Sequence, residues 1–221
     1  MRNAPGYTTK HTYDLMYNRT STTDPRNNTT YYRYDSLYRL QGIEDALSHV
    51  THFEYDAVGN LTAIVNALTQ RTEMEYDALN RIARLTDRLG GETEYGYDIV
   101  GRLASITNPR DAKTYYAYDA RDRVTQMTDA LLGKTTYAYD AVGNLIAITD
   151  ANQHTTRFGY DADDLLVLVT DPGAHSTIFD HDGVGNIIMM VNGRGYITEY
   201  NYDANDNLTL IIDALEGETA F

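Results

Sequence analysis

Cysteine and tryptophan are missing from this sequence altogether, and proline occurs only 4 times in 221 residues. Without thiols there is no disulfide framework and no thiolate metal site, so the redox compartment stays open. No apolar run approaches the roughly 18 residues of a membrane-spanning helix, which excludes that class. No apolar stretch follows Met1-Arg2-Asn3 to make a secretory signal. Basic residues are scarce, with 18 Lys and Arg against 32 Asp and Glu, a formal net charge of −14. That deficit disfavours nucleic acid, because few cations are available to displace phosphate counterions. Nucleotide-binding loops, nucleophile elbows and zinc-helix motifs are also absent.

What the chain has in abundance is tyrosine, 20 residues of it, and a fixed beat. Tyr-Asp recurs at Tyr13, Tyr34, Tyr55, Tyr76, Tyr97, Tyr118, Tyr139, Tyr160 and Tyr202 in steps of 21, and His181-Asp182 fills the one gap. Ten copies without insertion or deletion are the signature of a repeat architecture. Asp follows the beat residue in every copy, and seven more Asp fall ten residues later, from Asp24 to Asp213. The acidity is therefore mostly turn chemistry.

Each half of the repeat reads as a strand. Thr135, Tyr137 and Tyr139 alternate with Thr136, Ala138 and Asp140, a period of two. A turn follows, as in Asp56-Ala57-Val58-Gly59-Asn60, with Gly, Asn or Asp where a left-handed backbone is expected. Asn144–Thr149 is then a second strand, closed by a second turn such as Asp171-Pro172-Gly173. Strand, turn, strand, turn predicts a chain of antiparallel hairpins. The second strand's apolar pairs lie three apart, at Leu61 and Ile64 or Leu145 and Ile148, and would face opposite ways in an unbroken strand. Either a β-bulge restores them to one face, or the first of each pair belongs to the turn; the second option is favoured here. A 42-residue super-period is superimposed. Gly59, Gly101, Gly143 and Gly185 alternate with Asn80, Asp122, Asp164 and Asp206. It reflects either duplication of a two-hairpin ancestor or alternate turns approached too closely for a side chain.

The fold class is thus all-β: about ten 21-residue hairpins in one curled, spiralling sheet. Two strands of about 4.8 Å advance the array by roughly 9.6 Å per repeat. A flat sheet of that width is disfavoured, since neighbouring strands twist by about 20–25°. Residues 1–29 read as a degenerate N-terminal repeat or cap, and residues 30–221 as the array, ending mid-repeat. In the first copy, Gly6-Tyr7 aligns with Gly195-Tyr196, while Arg19 and Thr22 stand where later copies carry Leu and Ile.

Several residue sets invite a chemical reading. Asp119, Asp140 and Asp161 could line a calcium edge or supply paired carboxylates, but catalysis needs two carboxylates made unlike by their surroundings, and these have near-identical neighbours. His49, His154 and His175 share a column, for which exposed loop positions are the simpler account. The tyrosine ladders could stack on sugars, although repeat packing explains the same residues. The expectation is a chain with no catalytic residue, cofactor or metal. Its working residues are structural: Tyr34-Asp35, Tyr55-Asp56, Tyr76-Asp77, Tyr97-Asp98, Tyr118-Asp119, Tyr139-Asp140, Tyr160-Asp161 and Tyr202-Asp203, with Gly59, Gly101, Gly143 and Gly185.

The strings Y-D-A-V-G-N-L at Tyr55 and Tyr139 and Y-D-I-V-G-R-L at Tyr97 closely resemble the YD repeat of the Rhs (rearrangement hotspot) family, also found in teneurins and insecticidal toxin complexes. The resemblance covers essentially the whole chain. It implies a spiralling antiparallel sheet that winds into a hollow shell around a toxin or C-terminal segment, and a secreted or cell-surface location. Complete members carry a D-P-x-G-L-type core after the repeats, of which Asp171-Pro172-Gly173-Ala174 is a partial echo. The reading is a non-enzymatic scaffold, a repeat segment forming the wall of a shell or stalk. Its expected partners are further repeats or domains of the same polypeptide, including an enclosed C-terminal toxin. The alternatives are a filament subunit joined to identical subunits through open sheet edges, and an adhesion or carbohydrate-binding module.

Overall fold

A computed structural model describes residues 8–221; Gly6 and Tyr7, aligned above with Gly195 and Tyr196, lie outside the described residues. Among the described residues there are 21 strands and no helix. The chain divides into two compact units, Met1–Lys113 and Thr114–Phe221. The first holds β1 (Lys10–Tyr13), β2 (Arg19–Thr23), β3 (Thr29–Tyr34), β4 (Leu40–Glu44), β5 (Val50–Tyr55), β6 (Leu61–Val65), β7 (Arg71–Tyr76), β8 (Ile82–Thr86), β9 (Glu92–Tyr97) and β10 (Leu103–Thr107). The second is opened by β11 (Lys113–Tyr118), all but its first residue, and β12 (Val124–Thr128), followed by β13 (Lys134–Tyr139), β14 (Leu145–Thr149), β15 (Thr155–Tyr160) and β16 (Leu166–Thr170). It closes with β17 (Ser176–His181), β18 (Ile187–Val191), β19 (Ile197–Tyr202), β20 (Leu208–Ile212) and β21 (Glu218–Ala220). Within each unit every strand pairs antiparallel with the next, as a chain of hairpins requires.

Alternation decides the faces. Along β13 the odd-numbered Thr135, Tyr137 and Tyr139 are half-buried, while Lys134, Thr136 and Ala138 are exposed. Threonine, tyrosine and phenylalanine are favoured here because branched and aromatic side chains fill a pleated surface. Cross-strand neighbours on this face are Phe53 with Ile64, and Ile64 with Thr72. Protection is modest, since Ala63 is the one buried apolar residue and no large side chain is fully buried among the described residues. Stability comes from repetition of cross-strand pairs, each contributing about 0.2–1 kcal/mol.

The apolar pairs three residues apart are resolved by a β-bulge, against the preference for a turn position. Glu54 faces Ala63 but Tyr55 faces Leu61, so Thr62 is an extra residue. Leu61 is the first residue of β6 and shares the tyrosine face with Ile64. The same shift recurs beside Tyr34, Tyr76, Tyr97, Tyr118, Tyr139, Tyr160, His181 and Tyr202. Parity demands it. Each turn carries the chain four residues to a facing position on the same face, as from Asp56 to Asn60 and from Asn66 to Gln70. Two turns leave thirteen strand steps in a 21-residue repeat, an odd number. Without one bulge, Tyr55 and Tyr76 would point to opposite faces.

Candidate functional site: the tyrosine and aspartate lattice

Both turn families share one geometry, a type I turn closed by a left-handed residue. After Tyr76, the Asp77 amide donates to the Arg81 carbonyl at 2.9 Å and the Asn80 amide to the Asp77 carbonyl at 3.0 Å, with Asn80 at φ 60°. Asp77 Oδ1 accepts the amides of Leu79 and Arg81 at 2.8 and 3.0 Å, and Oδ2 accepts Arg81 Nε at 2.8 Å. Aspartate suits this place because a short carboxylate satisfies several turn amides at once. The pattern repeats at Asp35, Asp56, Asp98, Asp119, Asp140, Asp161 and Asp203. The second turns copy it: Asp150 Oδ1 accepts the amides of Asn152 and His154 at 2.9 and 2.8 Å, with Gln153 at φ 68°.

These bonds set the electrostatics. The Asp77 carboxyl is held below the usual carboxylate range, first by the Arg81 side chain and then by its amide. Asp24 is lowered first by the Asn28 side chain, and Asp140 first by the Gly143 amide. Carboxylates so engaged are poor proton donors at neutral pH. Asp119, Asp140 and Asp161 each serve their own turn. The histidine column behaves likewise, since Nδ1 of His49, His154 and His175 bonds its own turn aspartate at 2.9, 3.2 and 3.0 Å. Among the described residues no three or more His, Asp or Glu are grouped so as to hold a metal ion.

The beat tyrosines do a different job: they join one hairpin to the next. Tyr76 Oη donates to the Leu61 carbonyl at 2.9 Å, fifteen residues back. Tyr34, Tyr55, Tyr97, Tyr139, Tyr160 and Tyr202 make the same bond, to Arg19, Leu40, Ile82, Val124, Leu145 and Ile187. The acceptor is always the residue before the bulge. The β6–β7 ladder stops at Ala63 and Glu73, so the Leu61 carbonyl lies beyond it and the phenol takes the place of a strand partner. Tyr118, at the end of β11, faces Val124. Where His181 interrupts the column, its Nδ1 is buried and unpartnered.

The glycines mark a second lateral contact, one the sequence reading left as alternatives. Arg39, Arg81 and Arg123 each pair with their own turn aspartate and stack over the next repeat's tyrosine, 4.6, 4.1 and 4.4 Å from the rings of Tyr55, Tyr97 and Tyr139. Each guanidinium then leans against a glycine. A Cβ on Gly59, Gly101 or Gly143 would lie 4.0, 3.2 or 3.7 Å from Arg39, Arg81 or Arg123 Nη1. Their φ angles of 105°, 98° and 126° are ones that side-chain-bearing residues rarely adopt. Gly185 (φ 97°) meets Leu165 instead. Where the preceding repeat carries Asn60, Asn144 or Asn186, its amide donates to Asn80, Asp164 or Asp206 of the next, at 2.9, 2.7 and 3.2 Å. The approach is tight at Gly101, whereas at Gly59, Gly143 and Gly185 a Cβ would make ordinary contact, so the shared positive φ is what favours glycine in alternate turns. The signal was present in the sequence: Arg39, Arg81 and Arg123 precede glycine turns, and Asn60, Asn144 and Asn186 precede Asn or Asp turns.

The model of the RHS repeat matches residues 34–71, 55–92, 76–113, 97–131, 118–153 and 139–176, overlapping windows that start on successive beat residues. The chain belongs to the RHS repeat family. Its fold is similar to that of the TcdB2-TccC3-TEV crystal structure, with a TM-score of 0.63 at 14% identity, covering 98% of this chain and 16% of that one. A Tc holotoxin pore of Photorhabdus luminescens, carrying a mutation in TccC3, aligns with a TM-score of 0.58 at 13% identity over 96% of this chain and 18% of that one. TcdB2-TccC3 without its hypervariable C-terminal region gives 0.57 at 14% identity, over 93% and 15%. The chain spans under a fifth of the length of these structures. Among curated proteins none matches it.

Proposed function

We propose that this RHS repeat chain is wall material: a non-enzymatic segment of a larger secreted or surface polypeptide, forming part of a shell or stalk that encloses or presents other domains. The observation that carries this reading is the lattice itself. Its tyrosine hydroxyls join hairpin to hairpin every 21 residues, and its turn carboxylates close each hairpin on itself. The beat tyrosines and aspartates and the four alternate-turn glycines are then the functional residues, and their function is mechanical. A sheet built this way grows by adding modules and curls through strand twist. The fold likeness to Tc toxin structures supports an enclosing role with a toxin among the partners, and a location outside the cell. Residues 30–221 serve as the array and residues 1–29 as its cap. The cap still takes the lattice bond, through the Arg19 carbonyl, while β1 is exposed throughout.

The test is limited proteolysis of the complete polypeptide that carries these repeats. Removing 42 residues keeps the phase of both periods and opens the wall. Flanking domains should be protected in the intact protein and cleaved in the shortened one. Equal cleavage in both would contradict an enclosing role.

A further inference from the structure

The turns that follow the tyrosines line one edge of the first unit with an unbroken run of uncharged tips, whereas on the other edge the exposed Leu47, Leu68 and Leu89 are followed by the charged Arg110 tip. The tips after the tyrosines read Ser36-Leu37-Tyr38, Ala57-Val58-Gly59, Ala78-Leu79-Asn80 and Ile99-Val100-Gly101, with no charged side chain. At the middle of each tip, Leu37, Val58, Leu79 and Val100 are 64%, 73%, 71% and 69% exposed. Beneath three of the four tips the turn aspartate is neutralised by its own arginine, Asp35 by Arg39, Asp77 by Arg81 and Asp98 by Arg102. In the second unit the row is interrupted: tips with Arg121 and Asp122, Asp163 and Asp164, and Asp206 alternate with the uncharged Ala141-Val142-Gly143 and Gly183-Val184-Gly185.

We propose that this edge is a self-association surface, on which a second copy of the chain packs the same edge, related by a two-fold axis. Three features point to that occupant. A row of aliphatic side chains repeating every two strands, about 9.6 Å, is matched along its length by another array with the same rise. Offset by half a repeat, each aliphatic group of one copy falls about 5 Å from two of the other, within contact distance. In a chain of net charge −14 most surfaces repel a second copy, whereas these tips bring no like charges together. An isologous contact also closes on itself and gives a dimer, not a fibre. Each side contributes a few hundred Å², below the roughly 800 Å² per partner of a stable interface, so the dimer is weak. This surface is independent of the enclosing role proposed above.

Sedimentation equilibrium on the 221-residue chain, from about 10 μM to about 1 mM, is the test. A monomer–dimer equilibrium is expected in the upper part of that range. The double variant Val58→Asp, Leu79→Asp gives these tips the residue that Asp163 already places at the same point of its turn, so the hairpin geometry is kept. It should weaken dimerisation at least about tenfold. Val142→Asp, in the second unit, should leave it unchanged. A monomer throughout, association that survives the double variant (joining through strand edges), or an equal loss in Val142→Asp would each overturn the proposal.

Discussion

The two units present the same tyrosine face and very different opposite faces. In the first, Arg71 bonds Glu54 and Glu73, Arg84 lies within 4 Å of Glu75, Glu92 and Glu94, and Arg33 pairs with Glu44. Glu54 and Glu73 flank Ala63, which is 0% exposed. In the second, the same columns hold Leu168 facing Ile178, Val191 facing Ile197, and Leu210 facing Ala220. Neither pattern disturbs the hairpins. Facing residues need only fit in size, as Gly159 does opposite Leu168, where a Cβ would come within 3.2 Å of the leucine. The fold is therefore specified by the tyrosine face and the turns, and the opposite face is left free to differ.

Acid should break the symmetry most strongly. In both units turn aspartates such as Asp77 and Asp140 have folded pKa values below the unfolded value of about 3.9. Their stabilisation is complete above that value and is lost as pH falls through the folded one. In the first unit Glu54 is lowered too, chiefly by its bond from Arg71, so its charged face fails in the same window. Hydrogen exchange followed peptide by peptide near pH 3 should show the first unit opening before the second. The reverse order would mean that the opposite face does not matter.

Next in size is Gly143→Ala, which must hold a side chain at φ 126° beside Arg123 and should cost at least about 1 kcal/mol in denaturant unfolding. Gly183→Ala, with open space around it, is the neutral control. His181→Tyr should restore the missing hydroxyl bond, here to the Leu166 carbonyl, and stabilise the second unit by about 0.5–1.5 kcal/mol. A smaller effect belongs to Arg84→Leu, which copies Leu168 into the first unit. Its cost should stay under about 1 kcal/mol and fade in high salt, because the ion pairs it removes are part-exposed.

Most of this architecture is legible in the sequence. The beat of Tyr139-Asp140 gives the module, alternation from Thr135 to Tyr139 gives the strands, and Gly59 or Asn80 marks the turns. The bulge was legible too, by counting: thirteen strand steps cannot return Tyr76 to the face of Tyr55 unless one residue is extra. Reading Leu61 as a turn residue followed from spacing alone and ignored that parity. The partner of the tyrosine hydroxyl was not legible. Its acceptor is a backbone carbonyl, which leaves no mark on residue identity at Leu61, Val124 or Leu145. One trace remains on the donor side. The column two residues earlier admits Phe53, Met74, Phe158 and Phe179, whereas the beat column never holds phenylalanine.

That contrast supplies the decisive measurement: chemical denaturation of Tyr139→Phe beside Tyr137→Phe, two changes that each remove one hydroxyl from the same strand and face. Tyr139→Phe loses the bond to the Val124 carbonyl and should be less stable by about 1 kcal/mol, while Tyr137→Phe, in the column that already accepts phenylalanine, should match the parent. Equal stability of the two variants would contradict a lattice held by the beat tyrosines.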